Sequence, residues 1–119
     1  MHFIRENGYD IREGEDRAYQ SWLAENEAAI ADACPEGVEY IGTFYAVHSD
    51  DRTGGQYRML WRLDSYGAQD RLAAEVGGDT PFARLTHEAM RFMDMRPGAN
   101  RSNHLLKRVT DSTVLLPED

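Results

Sequence analysis

From Gln56 to Leu63 the chain alternates residue by residue: Tyr57, Met59, Trp61 and Leu63 make one apolar, aromatic set, and the intervening set carries Arg58 and Arg62. A period of two is the signature of a strand, because successive side chains leave a strand on opposite faces. The aromatic face must be buried. The arginine face then needs its own explanation. If a second layer covers it, Arg58 and Arg62 sit in a polar interior, the kind of place where ligands and dimer partners are found.

The same reading extends along the chain. Residues 2 to 11 read as a strand, interrupted by the polar run Arg5-Glu6-Asn7 and ending in the turn Arg12-Glu13-Gly14. From Glu15 to Ala33 the apolar positions Tyr19, Trp22, Leu23, Ile30 and Ala33 recur at helical spacing, and Glu15 and Asp16 suit the positive end of the helix dipole. Cys34-Pro35-Glu36-Gly37 stops that helix. Val38 to His48 is β-branched and aromatic, a second strand, joined to the Gln56–Leu63 strand by the polar loop from Ser49 to Gly55. Asp64 or Ser65 is placed to cap a helix that runs to about Val76, with Gly77-Gly78 as its left-handed termination. Thr80-Pro81 restarts helix in cap-then-proline order, with Phe82, Leu85, Ala89, Phe92 and Met93 as its buried stripe, until Arg96-Pro97-Gly98. A last strand covers Ser102 to Val109. The apolar tail Thr113 to Leu116, bounded by Pro117, is expected to lie on a partner subunit.

This order is β-α-β-β-α-β, the α+β ferredoxin-like arrangement, in which a four-stranded antiparallel sheet carries its helices on one face. One sheet face is left bare. The first two strands offer apolar residues to both faces, since Phe3 and Ile4 point in opposite directions, as do Phe44 and Tyr45. Two such sheets packed face to face across a two-fold axis satisfy this most simply, so a homodimer through sheet faces is expected. Residues 1–119 read as a single domain, without internal repeat or linker.

At 119 residues and 13.6 kDa the chain is long enough for one core, and a subunit interface would add to it. A net charge of −8 and a pI near 4.9 favour solubility and argue against adhesion to nucleic acid or to an anionic membrane. Local arginines can still make a positive pocket. The one cysteine, Cys34, excludes an internal disulfide and a cysteine-based zinc site. No stretch approaches the roughly 20 apolar residues of a membrane span, and the first residues hold no signal-like run, so a cytoplasmic location is expected.

Three segments carry a family resemblance. They are Gly14 to Trp22, a glycine turn entering an aromatic-bearing helix; the strand Tyr40-Ile41-Gly42-Thr43-Phe44; and Trp61-Arg62-Leu63-Asp64-Ser65-Tyr66-Gly67-Ala68, which leads into the second helix. In these the chain resembles the dimeric α/β-barrel superfamily, and within it the NIPSNAP-like branch. Glu13 stands where that family usually has proline, and Arg71 is the counterpart of an arginine expected early in the second helix. The resemblance implies a homodimer with a ligand pocket between each sheet and its helices or at the barrel centre. Relatives in the superfamily include cofactor-free quinone-forming monooxygenases, haem-degrading enzymes and lactone isomerases, and fold does not choose among them. No cofactor is expected here.

Arg5 and Glu6 are neighbours in a strand and point to opposite faces, so with both faces covered at least one is buried and needs a partner: Arg58, Arg62, a carboxylate or a ligand. His48, at the end of its strand, and Tyr45 are candidates for moving a substrate proton, with Glu6 as a third candidate; a solvated surface histidine is the competing reading of His48. His2, His87 and His104 lie on separate elements without metal-ligand spacing, so no metal site is expected. Tyr57, Trp61, Tyr40 and Phe44, with Met59, either line the pocket of a flat ligand or form ordinary core against Trp22, Phe82, Phe92 and Met93. No base adjoins Cys34 in sequence, which leaves a nucleophilic role without support.

The leading expectation is a homodimeric protein that binds a small aromatic or carboxylated ligand, with Arg58 or Arg62 pairing its negative group, Tyr57 and Trp61 giving apolar contact, and Arg5 nearby. The alternatives are a cofactor-independent monooxygenase or isomerase using His48 or Tyr45, and a structural or interaction protein whose barrel is packed solid.

Overall fold

A computed structural model describes residues 2–111; the expected tail at Thr113 to Leu116 lies outside the described residues. The elements are β1 (Phe3–Tyr9), α1 (Asp16–Ala33), β2 (Val38–Tyr45), β3 (Tyr57–Leu63), α2 (Ala68–Val76), α3 (Pro81–Met90) and β4 (Arg101–Lys107), followed by a short 3-10 turn, Val109–Asp111. The strands form one sheet in the order β2-β3-β1-β4, every neighbouring pair antiparallel. This is the ferredoxin-like arrangement, with its second helix split into α2 and α3.

The sheet has two unlike faces because its strands alternate. Phe3, Tyr9, Tyr57, Met59, Trp61 and Leu63 are buried beneath the helices, joined by Val38 and Tyr40 of β2 and by Tyr19, Ile30, Leu72 and Phe82 from above. Burial of each large apolar side chain contributes on the order of 1.5–3 kcal/mol, so this single face supplies most of the core. The other face carries Ile4, Glu6, Leu60, Arg58, Arg62, His104 and Leu106, and it also displays Phe44, half exposed, because a bulge at Ile41 and Gly42 shifts the register between Tyr40 and the residues after it.

Local signals set most element ends. Thr80 accepts a hydrogen bond from the Ala83 amide at 3.1 Å and Pro81 follows it, which starts α3 as the sequence predicts. Pro35 supplies no amide to extend α1. Several boundaries differ from expectation; the last strand, for one, runs Arg101–Lys107 and leaves Val109 in the 3-10 turn. Asp64 does not cap α2: its side chain takes Arg71 at 3.1 Å and its amide donates to Gly37 O at 2.9 Å, so the helix begins only at Ala68. Gly77 ends α2 with φ −81°, a right-handed conformation rather than a left-handed cap. β2 stops at Tyr45, which leaves His48 in the loop. Phe92 and Met93 fall beyond α3, where Met93 bridges to Ile11 and the Arg12 amide donates to Phe92 O at 2.8 Å, so this segment pairs with the chain just past β1 instead of continuing the helix.

Candidate functional site

Between the sheet and the α2–α3 pair lies an open cleft of about 740 Å³. Its floor is the helix-facing surface of β1 and β3, with Arg5, Met59 and Trp61, and Leu72, Phe82 and Met90 form the opposite wall. The strands put these residues together through register: Arg5 stands opposite Trp61, Asn7 opposite Met59, and Tyr9 opposite Tyr57. At the rim β4 presents Arg101 and Asn103, both exposed.

Arg5 is half-buried. Its Nε donates to Asn7 Oδ1 at 3.2 Å, and among the described residues no carboxylate forms an ion pair with it. Burial lowers its pKa from the ordinary guanidinium value, since leaving water disfavours the charged form. The Trp61 indole is buried, and its Nε1 has no acceptor among the described residues. Tyr9, at the cleft wall, is bonded through its hydroxyl to that of Tyr19. Burial pushes the Tyr19 phenol up to about 12 and raises that of Tyr9 further. Burial also raises the phenols of Tyr40, which donates to Glu27 Oε2 at 2.7 Å, and Tyr57, which donates to Asp16 Oδ1 at 2.8 Å.

The structure divides the ligand set expected from sequence. Tyr57 and Trp61 face the helices, whereas Arg58 and Arg62 face the other way, so among the described residues no pocket has those aromatics at one end and those arginines at the other. Arg58 is nearly buried under the loop, 3.7 Å from Glu6 and donating through Nε to Gly55 O at 3.0 Å. Arg62, half exposed, is 3.6 Å from Glu39. Of the expected set, Arg5 and Trp61 do meet in the cleft.

Glu6 finds two of the partners its face allows, Arg58 and His104, whose Nδ1 is 2.9 Å from Glu6 Oε1. The His48 side chain is 89% exposed, 3.9 Å from Asp50, and Tyr45 is half exposed, its hydroxyl donating to Gln56. Glu6, Tyr45 and His48 border a depression of about 300 Å³ that is open to solvent, so the three catalytic candidates share no enclosed cavity. Cys34 donates to Ile30 O at 3.4 Å, and burial raises its thiol pKa, away from the nucleophilic thiolate. Among the described residues no cluster of three His, Cys, Asp or Glu side chains is placed to hold a metal ion. Sequence reasoning missed Asn7, Tyr9 and Arg101 as cleft residues. The parity of β1 was the available signal, since Arg5, Asn7 and Tyr9 share a face with Phe3.

Fold and cleft together define an α+β protein of the ferredoxin-like type with a pocket between sheet and helices. No family model matches the sequence, and no curated protein aligns with it. Solved structures do match the fold. A NIPSNAP family protein from Agrobacterium tumefaciens superposes with a TM-score of 0.65 at 18% identity, covering 96% of this chain and 99% of that one. A NIPSNAP-like domain protein from Burkholderia xenovorans gives 0.62 at 20% identity, over 93% and 88%. SnoaB from Streptomyces nogalater, a cofactor-independent oxygenase solved as a mutant, gives 0.53 at 15% identity, over 98% of each chain. The chain therefore has the NIPSNAP-type fold.

Proposed function

We propose that this protein is a homodimeric α/β-barrel protein that binds a small, largely apolar organic molecule in the cleft between its sheet and helices. The observation that carries the reading is the cleft itself: about 740 Å³ walled by Met59, Trp61, Leu72 and Phe82, within the range of pockets that enclose small ligands. It also weighs against a barrel packed solid. The dimer reading is supported by the helix-free sheet face, where Phe44 is 50% and Leu106 54% exposed beside half-buried Ile4 and Leu60. Burying such a patch against its own copy gives an isologous interface, in which Arg58–Glu6 and Arg62–Glu39 become interface ion pairs. A reducing compartment such as the cytoplasm suits a chain whose one cysteine has no disulfide partner of its own.

Two measurements test this. Titration of aromatic probes against intrinsic tryptophan fluorescence should saturate in the native protein and fail in Ala73→Trp, which fills the cleft; equal binding by both refutes the assignment. Light scattering after chromatography should show a dimer that Leu106→Glu converts to monomer, and a native monomer refutes the sheet-face interface.

A second reading, a cofactor-independent oxygenase, draws support from the SnoaB likeness and from a phenol, Tyr9, at the cleft wall. Oxygen uptake during incubation with hydroxylated aromatics is its expected sign, and absence of uptake across a broad panel counts against it.

A further inference from the structure

The cleft has a charge of one sign only. Among the described residues its walls hold two arginines, Arg5 and Arg101, and no aspartate, glutamate or histidine, in a protein whose net charge is −8. Five other arginines of the chain are ion-paired: Arg58, Arg62, Arg71, Arg84 and Arg96. Arg5, more enclosed than most of these, bonds among the described residues to the neutral Asn7 and to no carboxylate. A guanidinium withdrawn from water without a counter-charge loses hydration that nothing in the protein returns.

A second unmet donor stands beside it. Trp61 is 3% exposed, its indole Nε1 lacks an acceptor, and it is the direct cross-strand partner of Arg5 on the cleft-facing side. The Trp61 Nε1 is itself sealed from water by the packing around it, so the donor a ligand can answer is the Arg5 guanidinium, whose planar fork matches one small group with two acceptor oxygens. A carboxylate does this, and a guanidinium–carboxylate pair is the stronger, charge-assisted kind of hydrogen bond.

We infer that the ligand of this cleft is a carboxylate, held head-inward by Arg5 with its apolar body against Met59, Trp61, Leu72 and Phe82. The inference rests on the ligand-binding reading above and narrows it to one class. A phenol answers the same cation less well: among the described residues no aspartate, glutamate, histidine, cysteine or lysine lines the cleft to take its proton at neutral pH, whereas a carboxylate arrives already ionised.

The test is calorimetric titration at neutral pH with matched acids, amides and alcohols: 2-naphthoate, 2-naphthamide and 2-naphthol, with parallel benzene and eight-carbon series. Native protein is expected to bind each acid at least about tenfold more tightly than its amide or alcohol, a preference typical of a charge-assisted contact. Arg5→Gln should abolish that preference by weakening the acid while leaving the amide within about twofold; Arg101→Gln, at the open rim, should change it far less, because an exposed charge is screened. Amides or alcohols that bind native protein as tightly as the acids overturn the carboxylate assignment and leave the cleft reading standing. Failure of every member of every series to bind overturns the cleft reading, and this inference with it. The comparison within native protein decides the matter even where Arg5→Gln does not fold.

Discussion

Tyr9 and Tyr19 join hydroxyls inside the core, although one belongs to β1 and the other to α1. Tyr19 is fully buried and Tyr9 nearly so. Each phenol is the other's replacement for water, and the bond fixes where α1 lies over the sheet. Tyr19 also packs edge-on to Tyr57 at 5.2 Å and against Phe92 at 5.5 Å, so the pair sits within an aromatic cluster that closes the α1 end of the core.

Removing one hydroxyl of this pair should cost more than removing both. Tyr19→Phe leaves the Tyr9 hydroxyl buried with its partner gone, for a loss of about 1–3 kcal/mol; Tyr9→Phe with Tyr19→Phe leaves no orphan and should recover part of that loss. Urea denaturation of the three proteins measures it, and additive losses would contradict the pairing.

The same phenols govern behaviour in alkali. Their pKa values are raised in the folded state above the unfolded value near 10, that of Tyr19 to about 12. The folded chain thus holds protons that the unfolded chain releases, so this contribution is complete below about pH 10 and is lost as pH rises through about 12. Thermal melts across that window should show stability falling as phenolate absorbance near 295 nm appears. The fall should be shallower in the double phenylalanine variant.

Glu6 compensates a nearly buried arginine. The Arg58 side chain is 13% exposed, and its Nη2 has no acceptor among the described residues, so the carboxylate at 3.7 Å is its principal compensation. Glu6→Gln should destabilise by about 1–2 kcal/mol, and Glu6→Gln combined with Arg58→Met by less than Glu6→Gln alone, because the stranded charge is gone. Chemical denaturation of both variants checks the order; the reverse order would show that the pair stabilises outright.

Gly55 is required by geometry. Its φ is +90°, and a Cβ there would fall well inside contact distance of the Tyr9 backbone. Gly55→Ala should cost about 2 kcal/mol or more through backbone strain and displacement of the loop that covers Arg58. Gly14→Ala is the control: φ is +85° but no atom lies near its Cβ, so the cost should be only that of the conformation, about 1–2 kcal/mol. Parallel melts separate the two.

Much of the fold was legible because it is written in short-range pattern. The alternation of Tyr57 to Leu63, the helical stripe through Tyr19 and Ile30, and the Thr80-Pro81 start all depend on neighbours two to four residues away. The alternation also separates Arg58 and Arg62 from Tyr57 and Trp61, which already forbids one shared pocket. Where the pattern misled, a distant residue had intervened. Asp64 reads as a cap until Arg71 and Gly37 claim it, and Phe92 and Met93 read as helix until Ile11 and Arg12 draw them to the sheet edge.

The order of elements, the buried face of each, and the pointing of Arg5 with Phe3 and Tyr9 while Glu6 points away all follow from local pattern along the chain. What each charge meets was set by the packing of distant elements. Glu6 finds His104, 98 residues away, whereas Arg5 opens into a cleft that no carboxylate of the described residues enters. The physical reason is range: side-chain direction follows from backbone geometry within a strand, but an ion pair or a void depends on how separate elements pack.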